Sequence, residues 1–89
     1  MENFNHVLGF EWENLETILD TNYDASSEYR VHTSRGDVCY TIRSTAPDST
    51  VYGAECEGRS DIYVDAGEAP NFYLRSLDTK NILEISEVS

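Results

Sequence analysis

The side chains in this chain best suited to chemistry are its carboxylates, two histidines and two cysteines. Across Trp12 to Asp20 (WENLETILD), Glu13, Glu16 and Asp20 fall three and four residues apart with no Lys or Arg between them. On a helix that spacing sets them in one row, about 5–6 Å from neighbour to neighbour, and like charges so placed cost a few tenths of a kcal/mol per pair. A row of carboxylates on a rod can imitate a row of phosphates. It can equally be the solvated face of a helix in an acidic protein. Nucleophilic catalysis is less well served: His32 and Cys39 can face each other across a hairpin, but no oxyanion-hole signature or orienting carboxylate accompanies them. His6, His32, Cys39 and Cys56 lack the paired spacing of zinc sites. Asp61, Asp65 and Glu68 match no calcium loop, and no glycine loop could cradle a phosphate. Arg35-Gly36-Asp37 is accounted for by turn chemistry. The expectation is therefore a protein that is not an enzyme, with no metal and no cofactor.

The charge says more. The chain has 89 residues with seventeen acids against six bases, for a formal charge of −11. The acids are segregated. Residues 1–24 contain Glu2, Glu11, Glu13, Glu16, Asp20 and Asp24 and no Lys or Arg. Residues 44–70 contain Asp48, Glu55, Glu57, Asp61, Asp65 and Glu68 against Arg59 alone. Such a chain repels nucleic acid and anionic membranes and is steered toward basic surfaces, with an attraction that weakens in salt. Adaptation to high salt would spread the acids more evenly. No apolar run is long enough for a signal peptide or a membrane span. A cytoplasmic setting is the expectation, with Cys39 and Cys56 as free thiols. The length points to a single domain, 1–89, with one modest core.

These side chains need elements to position them. Asn5 to Gly9 reads as a strand feeding the helix. Leu8, Trp12, Leu15 and Leu19 recur at helical spacing beside Ile18. Glu28 to Thr33 and Val38 to Arg43 read as a hairpin around Arg35-Gly36, in which Tyr29 would face Ile42, Val31 Tyr40, and Thr33 Val38. A second, acidic hairpin is expected from Thr50 to Glu57 and Ile62 to Val64. A third is expected from Phe72 to Leu77 and Ile82 to Ser86, around Asp78, Thr79, Lys80 and Asn81. The fold expected is α+β: one main N-terminal helix packed on an antiparallel sheet of five to seven strands built from hairpins.

The order of elements resembles the phage-encoded uracil-DNA glycosylase inhibitors, small acidic DNA mimics in which a short strand runs into a glutamate-rich helix and then an antiparallel sheet. The residues that carry the likeness are His6-Val7-Leu8, Glu13 to Leu19, Val31-His32-Thr33, Ser44-Thr45-Ala46-Pro47-Asp48, and the end from Pro70 to Leu77 and Asn81 to Ile85. The family's N-terminal helix is missing, residues 49–69 stand as an insertion, and the strand Glu and Ser that meet the enzyme in that family fall at Asn5 and His6. The resemblance implies that Val7, Leu8, Glu13 and Glu16 face a target, with Glu2 in place of the missing glutamate. It also implies an apolar pocket bordered by Leu15, Ile18, Val31 and Tyr40.

Taken together, these features lead to the expectation of a DNA-mimic inhibitor that occupies the basic nucleic-acid groove of a host DNA-processing or defence enzyme. A uracil-DNA glycosylase is the foremost target, with CRISPR and restriction effectors beside it. The partner is a basic nucleic-acid-binding protein, without direct contact to nucleic acid or membrane, met by a monomer or small homo-oligomer in the (host) cytoplasm. The residues expected to meet it are Glu2, Val7, Leu8, Glu11, Glu13, Glu16, Asp20, Asp24, Glu55, Glu57, Asp61 and Asp65. An immunity or antitoxin protein that neutralises a basic nuclease would use the same electrostatics. A small enzyme and an assembly component, acidic only for solubility, are readings of other classes.

Overall fold

Alternation of apolar and polar residues dominates the chain, and strands dominate the fold. A computed structural model describes residues 2–48, 50–56 and 58–88, with Glu55 described by its backbone. The strands are β1 (Phe4–Leu8), β2 (Glu13–Asn14), β3 (Glu28–Thr33), β4 (Val38–Ile42), β5 (Ala54–Cys56), β6 (Asp61–Val64), β7 (Phe72–Ser76) and β8 (Asn81–Val88). One helix, α1 (Leu15–Leu19), runs into a 3-10 turn at Asp20–Asn22, and a second 3-10 turn at Ala69–Asn71 leads into β7. The class is α+β, as expected from the sequence.

The strands form two antiparallel four-stranded sheets, ordered β1-β8-β3-β6 and β2-β7-β4-β5. The three hairpins expected from the sequence are not formed. β3 pairs with β6 and β8, and β4 pairs with β5 and β7, so the short connection at Arg35-Gly36 carries the chain from one sheet to the other. The same holds between β5 and β6 and between β7 and β8. Tyr29, Val31 and Thr33 on β3 and Val38 on β4 are all buried, but they belong to facing sheets rather than to one side of one sheet. The core lies between: Leu8, Tyr29, Val31, Ile62, Val64, Leu83 and Ile85 from the first sheet, Val38, Phe72 and Leu74 from the second, and Leu15, Leu19 and Ala69 closing one end.

The helix is shorter than its apolar spacing predicts. Glu13 and Asn14 are drawn into β2, opposite Leu74 and Tyr73. Asn14 then takes extended dihedrals (φ −83, ψ 132) and caps the helix, its Oδ1 accepting from Thr17 N–H at 3.3 Å. Its Nδ2 donates to the Pro70 carbonyl at 2.8 Å, which fixes the helix against the second 3-10 turn. A helix of five residues has no stability of its own, so it depends on burying Leu15 and Leu19, each contributing roughly 1.5–3 kcal/mol.

A buried polar network ties the two sheets at the opposite end. Asn81 is fully buried. Its Oδ1 accepts from Ser34 N–H at 2.8 Å and Ser34 Oγ at 3.1 Å, and its Nδ2 donates to the Arg35 and Gly36 carbonyls at 2.7 and 2.9 Å. Its backbone N–H donates to Ser76 Oγ (3.0 Å), which donates to the Leu8 carbonyl (2.8 Å). β1, β7, β8 and the β3–β4 connection therefore meet at one asparagine, at a position where the sequence predicts only a turn residue.

Gly53 sits where the chain entering β5 passes closest to β4. A Cβ there would collide with the Tyr40 carbonyl and stand 3.1 Å from Trp12 Cη2. Gly53→Ala should lower stability by about 1–3 kcal/mol, the usual cost of overpacking. Because Trp12 is the single tryptophan, its emission should shift in the same variant; an unchanged denaturation midpoint would mean the approach is not tight in solution.

Candidate interaction surface

The row of carboxylates expected on one helix is dispersed. Glu13 is on β2, not on the helix, and is half-buried. His6 Nε2 donates to its Oε1 at 2.8 Å and Gly9 N–H donates to its Oε2 at 3.0 Å. Glu13 thus links β1 of one sheet to β2 of the other and is spent on the fold. Leu8 is also corrected: it is fully buried and presents nothing to a partner. Leu15 and Val31 are fully buried in the core, Ile18 and Tyr40 are partly buried against it, and Ile18 lines a groove with His6, Trp12, Glu13 and Asp20. Val7 is 60% exposed, on the outer face of the first sheet opposite Ile82.

The acids that remain exposed fall into several places. Asp61 is on the outer face of the first sheet, where His32 Nδ1 donates to its Oδ1 at 2.7 Å. Glu11 follows β1 and lies beside Trp12 in a cleft. Glu16 is on the helix that closes one end of the molecule, Asp24 and Asp65 lie in loops at that end, Glu2 precedes β1, and Asp20, where the helix stops, turns to a groove shared with His6, Trp12 and Ile18. Asp20 has a positive φ of 51 as the helix ends. Glu55 is on β5 by its backbone. Glu57 lies outside the described residues.

Sheet pairing adds to that end acids that lie outside the expected interaction residues. Glu28 opens β3 opposite Val88, and Glu87 accepts from Ser27 Oγ at 2.6 Å. Tyr29 pairs with Val64, which brings the loop holding Asp65 and Glu68 beside residues 24–26. The segments 13–28, 65–71 and 86–88 contain no Lys or Arg. Arg43 borders this end, its backbone N–H donating to the Asn71 carbonyl at 2.8 Å. The strand order was the missing signal: Glu28 and Glu87 are far apart in sequence, and only antiparallel pairing of β3 with β8 makes them neighbours.

Several surface acids hold turns. Asp24 Oδ1 accepts from Ser26 Oγ at 2.7 Å and from Ser26 N–H at 2.9 Å, and these bonds hold its carboxyl below the ordinary 3.8. Asp48 is lowered in the same way by Thr50. Asp78 is lowered by the Asp37 and Thr79 N–H groups at 3.1 and 2.9 Å. A carboxyl whose folded pKa lies below its unfolded value lends stability above the unfolded pKa and withdraws it as pH falls through the folded one. Asp78→Ala should therefore lower the thermal midpoint by a few degrees at pH 7, and the difference should vanish near pH 2. Relief of overall repulsion in acid is common to both proteins and cancels in that difference. A gap that persists in acid would show that the aspartate acts through packing.

The two thiols belong to opposite faces of the second sheet, because Val38 pairs with Cys56 and Cys39 with Glu55. Both are free, Cys39 is buried, and burial together with neighbouring Cys39 pushes the Cys56 thiol up. Among the described residues no three His, Cys, Asp or Glu side chains gather as metal ligands, and no helix is long and apolar enough to cross a membrane.

Comparison with known proteins finds no match: no family model, no curated protein and no solved structure is similar to the chain.

Proposed function

We propose that the protein is a non-enzymatic inhibitor that offers its acidic end to the basic nucleic-acid groove of a partner protein, in place of DNA. The observation that supports this best is the state of the acids there. The side-chain carboxylates of Glu16, Glu28 and Asp65 are exposed and make no hydrogen bond or ion pair with a described residue. They lie within segments that contain no Lys or Arg. Unpaired carboxylates held by a rigid two-sheet frame release counterions from a basic groove much as phosphates do. They steer encounter more than they hold the complex. The partner surface differs from the one implied by the family resemblance: it is the helix-capped end, not the β1 strand with an apolar pocket.

The test is uracil excision by a uracil-DNA glycosylase, measured with added protein across a salt series. Inhibition that weakens as salt rises supports the reading with that target. Full activity at large molar excess and low salt removes the glycosylase. Capture from host lysate then tests the wider class, with CRISPR and restriction effectors and basic nuclease toxins among its possible partners. Recovery of no basic nucleic-acid-binding protein would sink it. A captured nuclease toxin would favour an immunity role.

A further inference from the structure

We propose that the cleft beside Trp12 binds a carboxylate carried next to an apolar side chain, with Arg75 as the anion anchor. The cleft measures about 290 Å³ and is lined by Phe10, Glu11, Trp12, Pro47 and Arg75. That is near the lower end of small-ligand pockets, roughly 300–1,000 Å³, and suits something the size of one amino acid. It is separate from the acidic end, and the inference does not rest on the inhibitor reading.

Arg75 is half-buried on the outward side of β7, and its guanidinium carbon lies 5.0 Å from the centre of the Trp12 ring. In a chain with seventeen acids and six bases, it makes no ion pair with a described residue. Its Nε is buried with no hydrogen-bond partner among the described residues. A buried donor left unmade costs stability and calls for an explanation. Arg30 Nε is similarly placed, but Arg30 has Glu84 at 3.9 Å. Among the described residues no carboxylate pairs with Arg75, whose charge meets only the face of the Trp12 ring; its Nε is closed off from the cleft, so a carboxylate there would be met by the two Nη groups of the planar guanidinium.

The rest of the cleft narrows the ligand. Trp12 is held by its Nε1–H donating to the Asp48 carbonyl at 3.1 Å. Phe10, 47% exposed, and Pro47 supply apolar wall. Glu11 lines the same cleft. It disfavours a multiply charged anion such as phosphate and offers an acceptor to an N–H beside the ligand's carboxylate. The chemistry that fits is a carboxylate, an adjoining N–H and an apolar side chain, as in a free amino acid or the C-terminal residue of a peptide.

Trp12 emission reads the site directly, because no other tryptophan is present. The intact protein is titrated with phenylalanine, N-acetylphenylalanine and inorganic phosphate at constant ionic strength. A saturable change is expected with at least one of the first two and none with phosphate. Preference for phenylalanine identifies a free amino acid, and preference for the acetylated form a chain terminus. Arg75→Lys keeps the charge but loses the fork, and should weaken binding tenfold or more with near-UV dichroism unchanged. Glu11→Gln, at an exposed position, should tighten N-acetylphenylalanine a few-fold and weaken phenylalanine, whose ammonium it no longer attracts. That crossing carries the test even if Arg75→Lys fails to fold. No saturable change with either organic carboxylate, binding of phosphate as tight as theirs, or Glu11→Gln shifting neither ligand overturns the assignment.

Discussion

Asn81→Leu should remove a large share of the protein's stability and lower its denaturation midpoint more than any single change proposed at another position. The substitution keeps the branch at Cγ but leaves the Arg35 and Gly36 carbonyls and the Ser34 N–H without the partners they have at 2.7–2.9 Å. Each group so orphaned costs about 1–3 kcal/mol where water cannot reach it, so the three together cost about 3–9 kcal/mol. A domain of this length has roughly 4–13 kcal/mol in all. Asn81→Asp should be worse at neutral pH. Its carboxylate can still accept from Ser34, but its second oxygen faces two carbonyls that need a donor. Burial and those carbonyls favour the protonated acid, so the folded pKa rises above the unfolded one. The variant should then be most stable below about pH 4 and lose stability as pH climbs, opposite to the turn-holding aspartates. Ile82→Ala, one residue on and half exposed, serves as the control and should change little. Denaturant melts of the three proteins decide the matter. An Asn81→Leu protein with a wild-type midpoint would mean that water replaces the asparagine at no cost.

The second large effect concerns binding. Reversing Glu16, Glu28 and Asp65 to Lys together should slow capture of a basic partner by about 10- to 100-fold at low salt, within the range that electrostatic steering supplies. The thermal midpoint should hold or rise. These side chains make no hydrogen bond or ion pair with a described residue, exposed changes usually stay within about 0.5 kcal/mol each, and the variant repels itself less. Reversing Asp61 instead disturbs the His32 contact and should leave capture nearly unchanged. Stopped-flow association at two salt concentrations separates the two. If the triple reversal binds as fast as the original, the acidic end is only a solvated surface and the proposed function falls with it.

The positions of strands were legible in the sequence and their partners were not. Alternation at Tyr29, Val31 and Thr33, and again from Val38, correctly marks which side of each strand is apolar. It does not say whether that side faces the same sheet's neighbour or the opposite sheet, because both arrangements bury the same residues. Gly36 has the positive φ (90) that a tight turn requires, but the turn spends it on crossing between layers, where Asn81 and Asp78 receive the chain. The helix was overread for a related reason. Trp12 and Glu13 fit the helical period, yet Glu13 gains two hydrogen bonds and a place beside Leu74 by joining the second sheet. For the candidate surface, total charge and its first acidic block were readable. The meeting of Asp24, Glu28, Asp65 and Glu87 was not, because it follows from pairings between segments distant in the chain.

The position of β8 has a consequence for how the molecule is made. β1 is complete when eight residues of this sequence have left the ribosome, yet its one sheet partner is β8, which starts at Asn81. β3 also leans on β8. During synthesis both must stay unpaired along those edges until the last of the described strands emerges, and open strand edges invite pairing with other chains. The acid-rich segment that follows β1, residues 11–24 with five acids and no Lys or Arg, keeps nascent chains apart during that wait. On this view the charge protects the chain before there is any surface to present to a partner.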